Sequence, residues 1–345
     1  MIPRRASALR IGSGAKAPRG LKAHPPGCVD AIKLERMLSL LHPQVQDRAE
    51  ELTQAFTAAQ PFRHVVIDPF LDPAFCGKLM AEFPAFDNER ARNEMGGVGR
   101  KAVFPDLAKL GPAYAQFDGL MRDRAFLALV GRITAVPGLL YDPEYIGGGT
   151  HENLEGQELD THVDFNYHPK THTHRRLNLI VFLNPEWEEC WGGRLELLRE
   201  PWATGDDVKM VTPLANRCVI FETTEASWHG FRRIQLPAGK NVSRRSIAVY
   251  FYTREPPPRG AAPSHATFYF QRPLPEHIRA GYTLREEDVA EIQALLTRRD
   301  HNTQFLYERE MEFSRSLSDI ALSRGFRWGR RLAAPVELLR RILRG

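Results

Sequence analysis

The stretch RRLNLIVFLN, residues 175–184, decides how the middle of this chain folds. It is short, apolar and bounded by turn-forming residues, and alternation along an extended backbone places Asn178, Ile180 and Phe182 on one face. Three runs of the same kind follow it: GRLELL (193–198), RCVIFE (217–222) and RRSIAVYFYT (244–253), separated by Gly, Pro and Asn. In the last, Arg244, Ser246, Ala248 and Tyr250 share one face, and Arg245, Ile247, Val249 and Phe251 the other. Short strands with turn signals between them, preceded by helices, indicate an α+β protein whose core is a double-sheet jelly roll. A barrel of that kind has a mouth in which a ligand can sit.

Outward from this core the texture changes. Residues 30–60 are helical in pattern, with Leu34, Met37, Leu38 and Leu41 on one face and a break at Pro43. FRHVVIDPFLDPAFCGKLMAEFPAF (62–86) gives a strand at Val65–Ile67, a turn at Asp68-Pro69 and a helix entered through Asp72-Pro73 as cap and first residue. Helix is also expected over 111–134. Downstream, Pro256–Pro258 open a linker to a capping box at Thr283–Glu286, which should start a long helix carrying Val289, Ile292, Leu296, Phe305 and Leu306. The organisation is therefore a disordered basic tail (1–29), a helix-supported barrel domain (30–253), and a linker with a C-terminal helical extension (254–345).

Charge is uneven. Residues 1–29 hold six Lys/Arg and no acid, and 324–345 hold seven Arg and one Glu, so a net charge of +5 leaves −7 on the body, which argues against a nucleic-acid-binding fold. The basic amphipathic end (324–345) suits docking on the acidic body or a partner protein, with an anionic membrane as the alternative. The four cysteines form no CxxC pair, which points to reduced thiols and no thiolate zinc site. With no spanning segment or secretory leader in view, a soluble cytoplasmic protein is expected, organellar import being the minor alternative.

Chemistry concentrates in THVDFNYHPKTHTH, residues 161–174. His162 and Asp164, two apart on a strand, can point at one metal ion. An isolated HxD is common by chance, and a lone His229 at the end of a strand is more often a core residue than a ligand. Two imidazoles and one carboxylate on one face of a metal, however, leave positions open opposite them, as in non-haem Fe(II) oxygenases. A nearby arginine would hold a carboxylate co-substrate through paired hydrogen bonds.

THVDFN, RRLNLIVFLNPEW followed by WGGRLEL, WHGF and RRSIAVYFY, in this order over residues 62–253, resemble the 2-oxoglutarate and Fe(II)-dependent dioxygenases of the prolyl 4-hydroxylase-like branch. The resemblance implies a double-stranded β-helix with iron held by His162, Asp164 and His229. It places 2-oxoglutarate on Arg244, with Arg245, which faces the other way, as the alternative. Phe182 stands where some relatives carry a co-substrate-binding tyrosine, and Ser246 or Asn178 would compensate.

The implied reaction consumes O2 and 2-oxoglutarate, with ascorbate as an accessory reductant, to hydroxylate a C–H bond of an unknown substrate, a prolyl residue or a small metabolite. Succinate and CO2 are the co-products. His168, His172 and His174 read as loop residues, not ligands. Arg175 and Arg176 are expected to face a substrate. GGGTHEN (147–153) reads as a flexible loop bringing His151 near the pocket, and Gly192-Gly193 as turn chemistry alone. The competing readings are a catalytically silent jelly-roll binding module and a barrel holding a metal other than iron.

Overall fold

The computed structural model describes residues 37–85, 101–203, 205, 207–258, 260–326 and 328, with backbone only at 101–103. The basic tail, the start of the first helical stretch and nearly all of the basic C-terminal end lie outside these residues.

Short helices α1 (Pro43–Asp47) and α2 (Ala49–Ala58) precede strand β1 (His64–Ile67) and helix α3 (Pro73–Ala81). The helical pattern does break ahead of Pro43, at 39–42, and the proline then begins a new helix: His42 caps it and the proline takes the first turn, where its missing N–H costs nothing. Asp72 caps α3 as expected, accepting from Phe75 N at 2.9 Å. After β2 (Lys101–Phe104), the 111–134 segment divides into α4 (Pro112–Met121) and α5 (Arg124–Thr134). The second helix is restarted by Asp123, which accepts from Ala125 N and Phe126 N.

Strands β3 (Leu140–Tyr141), β4 (Gly149–Asn153), β5 (Leu159–Val163), β6 (His174–Phe182), β7 (Leu195–Leu198), β8 (Lys209–Val211), β9 (Cys218–Glu222), β10 (Trp228–Phe231) and β11 (Arg244–Thr253) follow. They build two antiparallel sheets. The larger runs β1-β9-β6-β11-β4-β2, with β3 also paired to β11. The smaller runs β12-β5-β10-β7-β8, where β12 is Phe268–Tyr269. From β4 to β11 the chain passes repeatedly between the sheets, the winding of a double-stranded β-helix.

GGGTHEN is therefore not a loop. Its last five residues form β4, buried throughout and paired with β2 on one side and β11 on the other. Gly149 is needed there: its φ is +108°, and a Cβ would stand 2.2 Å from the Phe104 carbonyl oxygen.

Alternation along the strands sorts the two cores. Leu177, Leu179 and Val181 of β6 and Ile247, Val249 and Phe251 of β11 pack outward with Phe56, Leu79, Phe117, Phe126 and Ile133 of the helical layer. Phe182, Phe221, Leu195, Leu197 and Val219 fill the space between the sheets. Each large side chain buried this way contributes about 1.5–3 kcal/mol.

Helix α6 (Glu286–Leu322) begins two residues later than the Thr283 box suggests. Arg285 is its cap and Asp288 its third residue, with Asp288 Oδ2 accepting from Arg285 N at 2.9 Å. It is anchored to the barrel through Glu158, whose buried carboxylate meets Arg298 at 2.8 Å, Arg233 at 3.2 Å and Arg272 at 3.4 Å. No helix among the described residues is long and apolar enough to cross a membrane.

Candidate active site

Three ligand-type side chains meet on the inner face of the smaller sheet. β5 and β10 pair antiparallel with His162 directly opposite His229, so the two rings lie 4.3 Å apart between centroids, tilted by 47°. Val163 turns to the outer face, where it packs with Leu198 and Trp228, and so His162 and Asp164 both point inward. Each imidazole is oriented by its own strand: His162 Nδ1 lies 2.8 Å from Asp160 O, and His229 Nδ1 lies 3.0 Å from Ser227 O. With Nδ1–H donated to a carbonyl, each Nε2 carries the lone pair. These Nε2 atoms stand 3.8 Å (His162) and 3.5 Å (His229) from Asp164 oxygens. One ligand atom from each of the three residues lies within 4.8 Å of the others.

The electrostatics suit a cation. Burial pushes His229 down to about 4, helped by neighbouring His162, so the ring is neutral near pH 7. Burial alone would raise Asp164. Arg175, the two imidazoles and Asn178 outweigh it and hold the carboxyl well below the usual range.

Arg244 starts the inner face of β11. Its guanidinium is fully buried, lies 4.2 Å from the ring centroid of Phe231 and 5.1 Å from that of Phe182, and donates Nε–H to Gly193 O at 2.6 Å. Among the described residues it has no carboxylate partner, and burial lowers it from 12.5 to about 9. Arg245 faces the other way and is committed to Glu152 Oε1 at 3.0 Å and Ser243 Oγ at 3.0 Å. Ser246 is buried on the Arg244 side, between Phe182 and His151 in register.

Two expectations need correction. Asn178, expected to compensate at the co-substrate, is committed within the chain: its Nδ2 donates to Asp164 Oδ2 at 2.7 Å, and its Oδ1 accepts from Arg175 and Thr223. Alternation along β6 places it on the face it shares with Phe182, but it lies at the Asp164 end of that face while Phe182 lies at the Arg244 end. Arg175 and Arg176 do not await a substrate either. Arg175 Nη2 is 2.9 Å from Asp164 Oδ2, and Arg176 bonds Thr253 and Glu222.

The register of β6 on β11 slips at this point, pairing Tyr252 with Arg175 and Phe251 with Leu177. That bulge lets residues three apart, Arg175 and Asn178, reach the same carboxylate. Strict alternation forbids this, which is why the pattern hid it.

The loop histidines stay outside the triad. His168 Nε2 faces Asp142 at 3.4 Å while its Nδ1 accepts from Lys170 N and Thr171 N. His172 is an exposed loop residue, whereas His174, expected in the loop, opens β6 and packs on Tyr167. His151 lies on β4 opposite Ser246. Gly193 does more than turn the chain, since its carbonyl holds Arg244. Tyr269, from the segment after the barrel, stacks on His162 at 5.2 Å; nothing in its local sequence signals this role.

Residues 149–252 match the family model of the 2OG-Fe(II) oxygenase superfamily. Among curated proteins it is similar to prolyl 3-hydroxylase OGFOD1 of Mus musculus, 30% identical over 105 residues, and of Xenopus laevis, 36% identical over 90 residues. These alignments take in 30% and 25% of this chain and span 17% of the length of each relative. Solved structures with a similar arrangement include a prolyl hydroxylase from Trichoplax adhaerens in complex with a hypoxia inducible factor peptide fragment (TM-score 0.42, 13% identity, covering 61% of this chain and 90% of that one). Another is a Pseudomonas putida prolyl-4-hydroxylase (TM-score 0.39, 17% identity, covering 63% and 96%).

Proposed function

We propose that this protein is an Fe(II)- and 2-oxoglutarate-dependent dioxygenase that hydroxylates a C–H bond. The observation that carries the reading is the pairing of a buried two-imidazole, one-carboxylate cluster with a buried arginine in the same barrel that has no acidic partner among the described residues. His162, Asp164 and His229 would hold the metal through two Nε2 atoms and one carboxylate oxygen, a donor set that suits Fe(II) and leaves positions open for small ligands. Arg244 would take the distal carboxylate of 2-oxoglutarate, giving its desolvated charge a counter-ion. Asn153 on β4 is paired directly with Arg244, and Ser246 lies two residues further along the same face of β11.

Bound iron and 2-oxoglutarate supply the oxidising chemistry: O2 and the keto acid are consumed, one oxygen atom enters the substrate as hydroxyl, and the other leaves in succinate alongside CO2. The chain's part is to hold the His229 imidazole neutral, keep Asp164 ionised, and exclude water with Phe182, Phe221 and Phe231. Because the curated relatives are prolyl 3-hydroxylases, a peptidyl proline is the first substrate class to offer.

The test is succinate formation from 2-oxoglutarate with Fe(II), ascorbate and O2, comparing wild type with Asp164→Ala. We expect turnover above background in the wild type, raised by proline-containing peptides, and none in the variant. Equal succinate from both proteins would sink the proposal.

A further inference from the structure

Asp164 is gripped from behind. Its Oδ2 accepts from Asn178 Nδ2 at 2.7 Å and forms an ion pair with Arg175 Nη2 at 2.9 Å. The Arg175 guanidinium also straddles Asn178 Oδ1, with Nε at 3.1 Å and Nη2 at 2.9 Å, and Thr223 Oγ1 donates to the same oxygen at 3.3 Å. The guanidinium is fixed in turn by two rings, Tyr250 at 3.5 Å and Phe165 at 4.5 Å from its central carbon. Arg175 is 2% exposed and Asn178 1%, so water does not compete for these bonds.

A carboxylate oxygen offers two in-plane lone pairs. Asn178 Nδ2 and Arg175 Nη2 both lie against Oδ2, which also stands 3.5 Å from His229 Nε2, while Oδ1 lies 3.8 Å from His162 Nε2. From this we infer that Arg175, acting with Asn178, is a positioning residue that restricts Asp164 to a single-oxygen metal ligand. The consequence is a coordination count. Two imidazoles and one oxygen take three of six positions and leave three, whereas a carboxylate binding through both oxygens would leave two. A co-substrate bound through two atoms would then leave one position or none. The rigid plane matters as well as the charge: Nη2 meets both Asp164 Oδ2 and Asn178 Oδ1, and it is held there by Nε on Asn178 Oδ1 and by the two flanking rings, a hold that the flexible lysine stem lacks.

The inference rests on the metal-binding reading above, and one experiment separates the two. Co(II), a redox-quiet stand-in, is titrated calorimetrically into full-length wild type, Arg175→Met and Arg175→Lys. Circular dichroism confirms each fold, and the visible Co(II) absorption bands report coordination. We expect the wild type to bind one ion with the weak bands of six-coordinate Co(II). Arg175→Met should bind about 10- to 100-fold more weakly with altered bands, and Arg175→Lys, which keeps the charge, should still lose about fivefold or more on the same scale. If the wild type binds no Co(II), the metal reading itself fails. If it does bind, and either folded variant matches it in affinity and spectrum, the role of Arg175 is refuted. Arg175→Lys keeps the test decisive if Arg175→Met does not fold.

Discussion

Replacing Arg244 by methionine should make the ligand-free protein more stable and at the same time nearly abolish its affinity for 2-oxoglutarate. The guanidinium is buried without an acid, and its fall from 12.5 to about 9 corresponds to a burial penalty of about 5 kcal/mol at 1.36 kcal/mol per tenfold change in proton affinity. The sign follows from linkage. The unfolded chain binds this proton more tightly than the folded one, so the penalty is full below pH 9 and is relieved as pH rises towards 12.5.

At pH 7.5 the whole penalty is therefore present in the ligand-free wild type. Methionine of similar length removes it, and buried charges replaced by apolar side chains gain about 1–4 kcal/mol. Binding moves in the opposite direction: losing one partner of a buried, hydrogen-bonded charge pair costs about 2–5 kcal/mol, which is about thirtyfold to a few thousandfold in affinity. Urea unfolding of the ligand-free proteins gives the first quantity, and calorimetric titration of 2-oxoglutarate into Ni(II)-loaded protein gives the second. A variant that binds 2-oxoglutarate like the wild type, or that is clearly less stable without it, would refute the reasoning.

Two further outcomes follow from the same site. Gly193→Ala should weaken both stability and 2-oxoglutarate binding: φ is +65°, and an added Cβ would stand 2.9 Å from Trp187 Cζ2 and 3.3 Å from Arg244 Cδ. Strain of about 1–3 kcal/mol should appear in urea unfolding, with lost affinity in the same titration. Because burial holds His229 at about 4, against 6.5 when unfolded, its stabilising contribution is complete above pH 6.5 and is lost as pH falls towards 4. Ligand-free protein should therefore lose about 3 kcal/mol across that window, and His229→Phe should flatten the slope of unfolding free energy against pH.

The fold and the metal cluster were legible because both rest on period-two alternation. RRLNLIVFLN and RRSIAVYFYT each expose one polar-bearing face, and HVD places two ligands on a shared side whatever its neighbours do. Legibility ended where a partner from elsewhere in the chain decides. Asn178 and Phe182 share a face, and only the packing of β6 against β5 and β11 tells which end meets the metal. The Arg175 clamp depends on a bulge. GGGTHEN reads as a loop because three glycines lower strand propensity, yet Gly149 is there so that Phe104 can approach from the neighbouring strand. β12 is two residues long, too short for any periodicity, and it exists because its partner on β5 lies about a hundred residues earlier.

β12 has a consequence for how a polypeptide could be read. Phe268 and Tyr269 pair with Val163 and His162, Phe270 N donates to Thr161 O at 2.8 Å, and Asn166 is engaged by Pro263 O and His265 N. The protein thus lays its own chain along the strand that carries the metal ligands. A peptide cannot add itself there as a further strand, so recognition at that edge falls to side chains instead of a main-chain ladder. Selectivity would then depend on the residues flanking the modified position more than on an extended backbone.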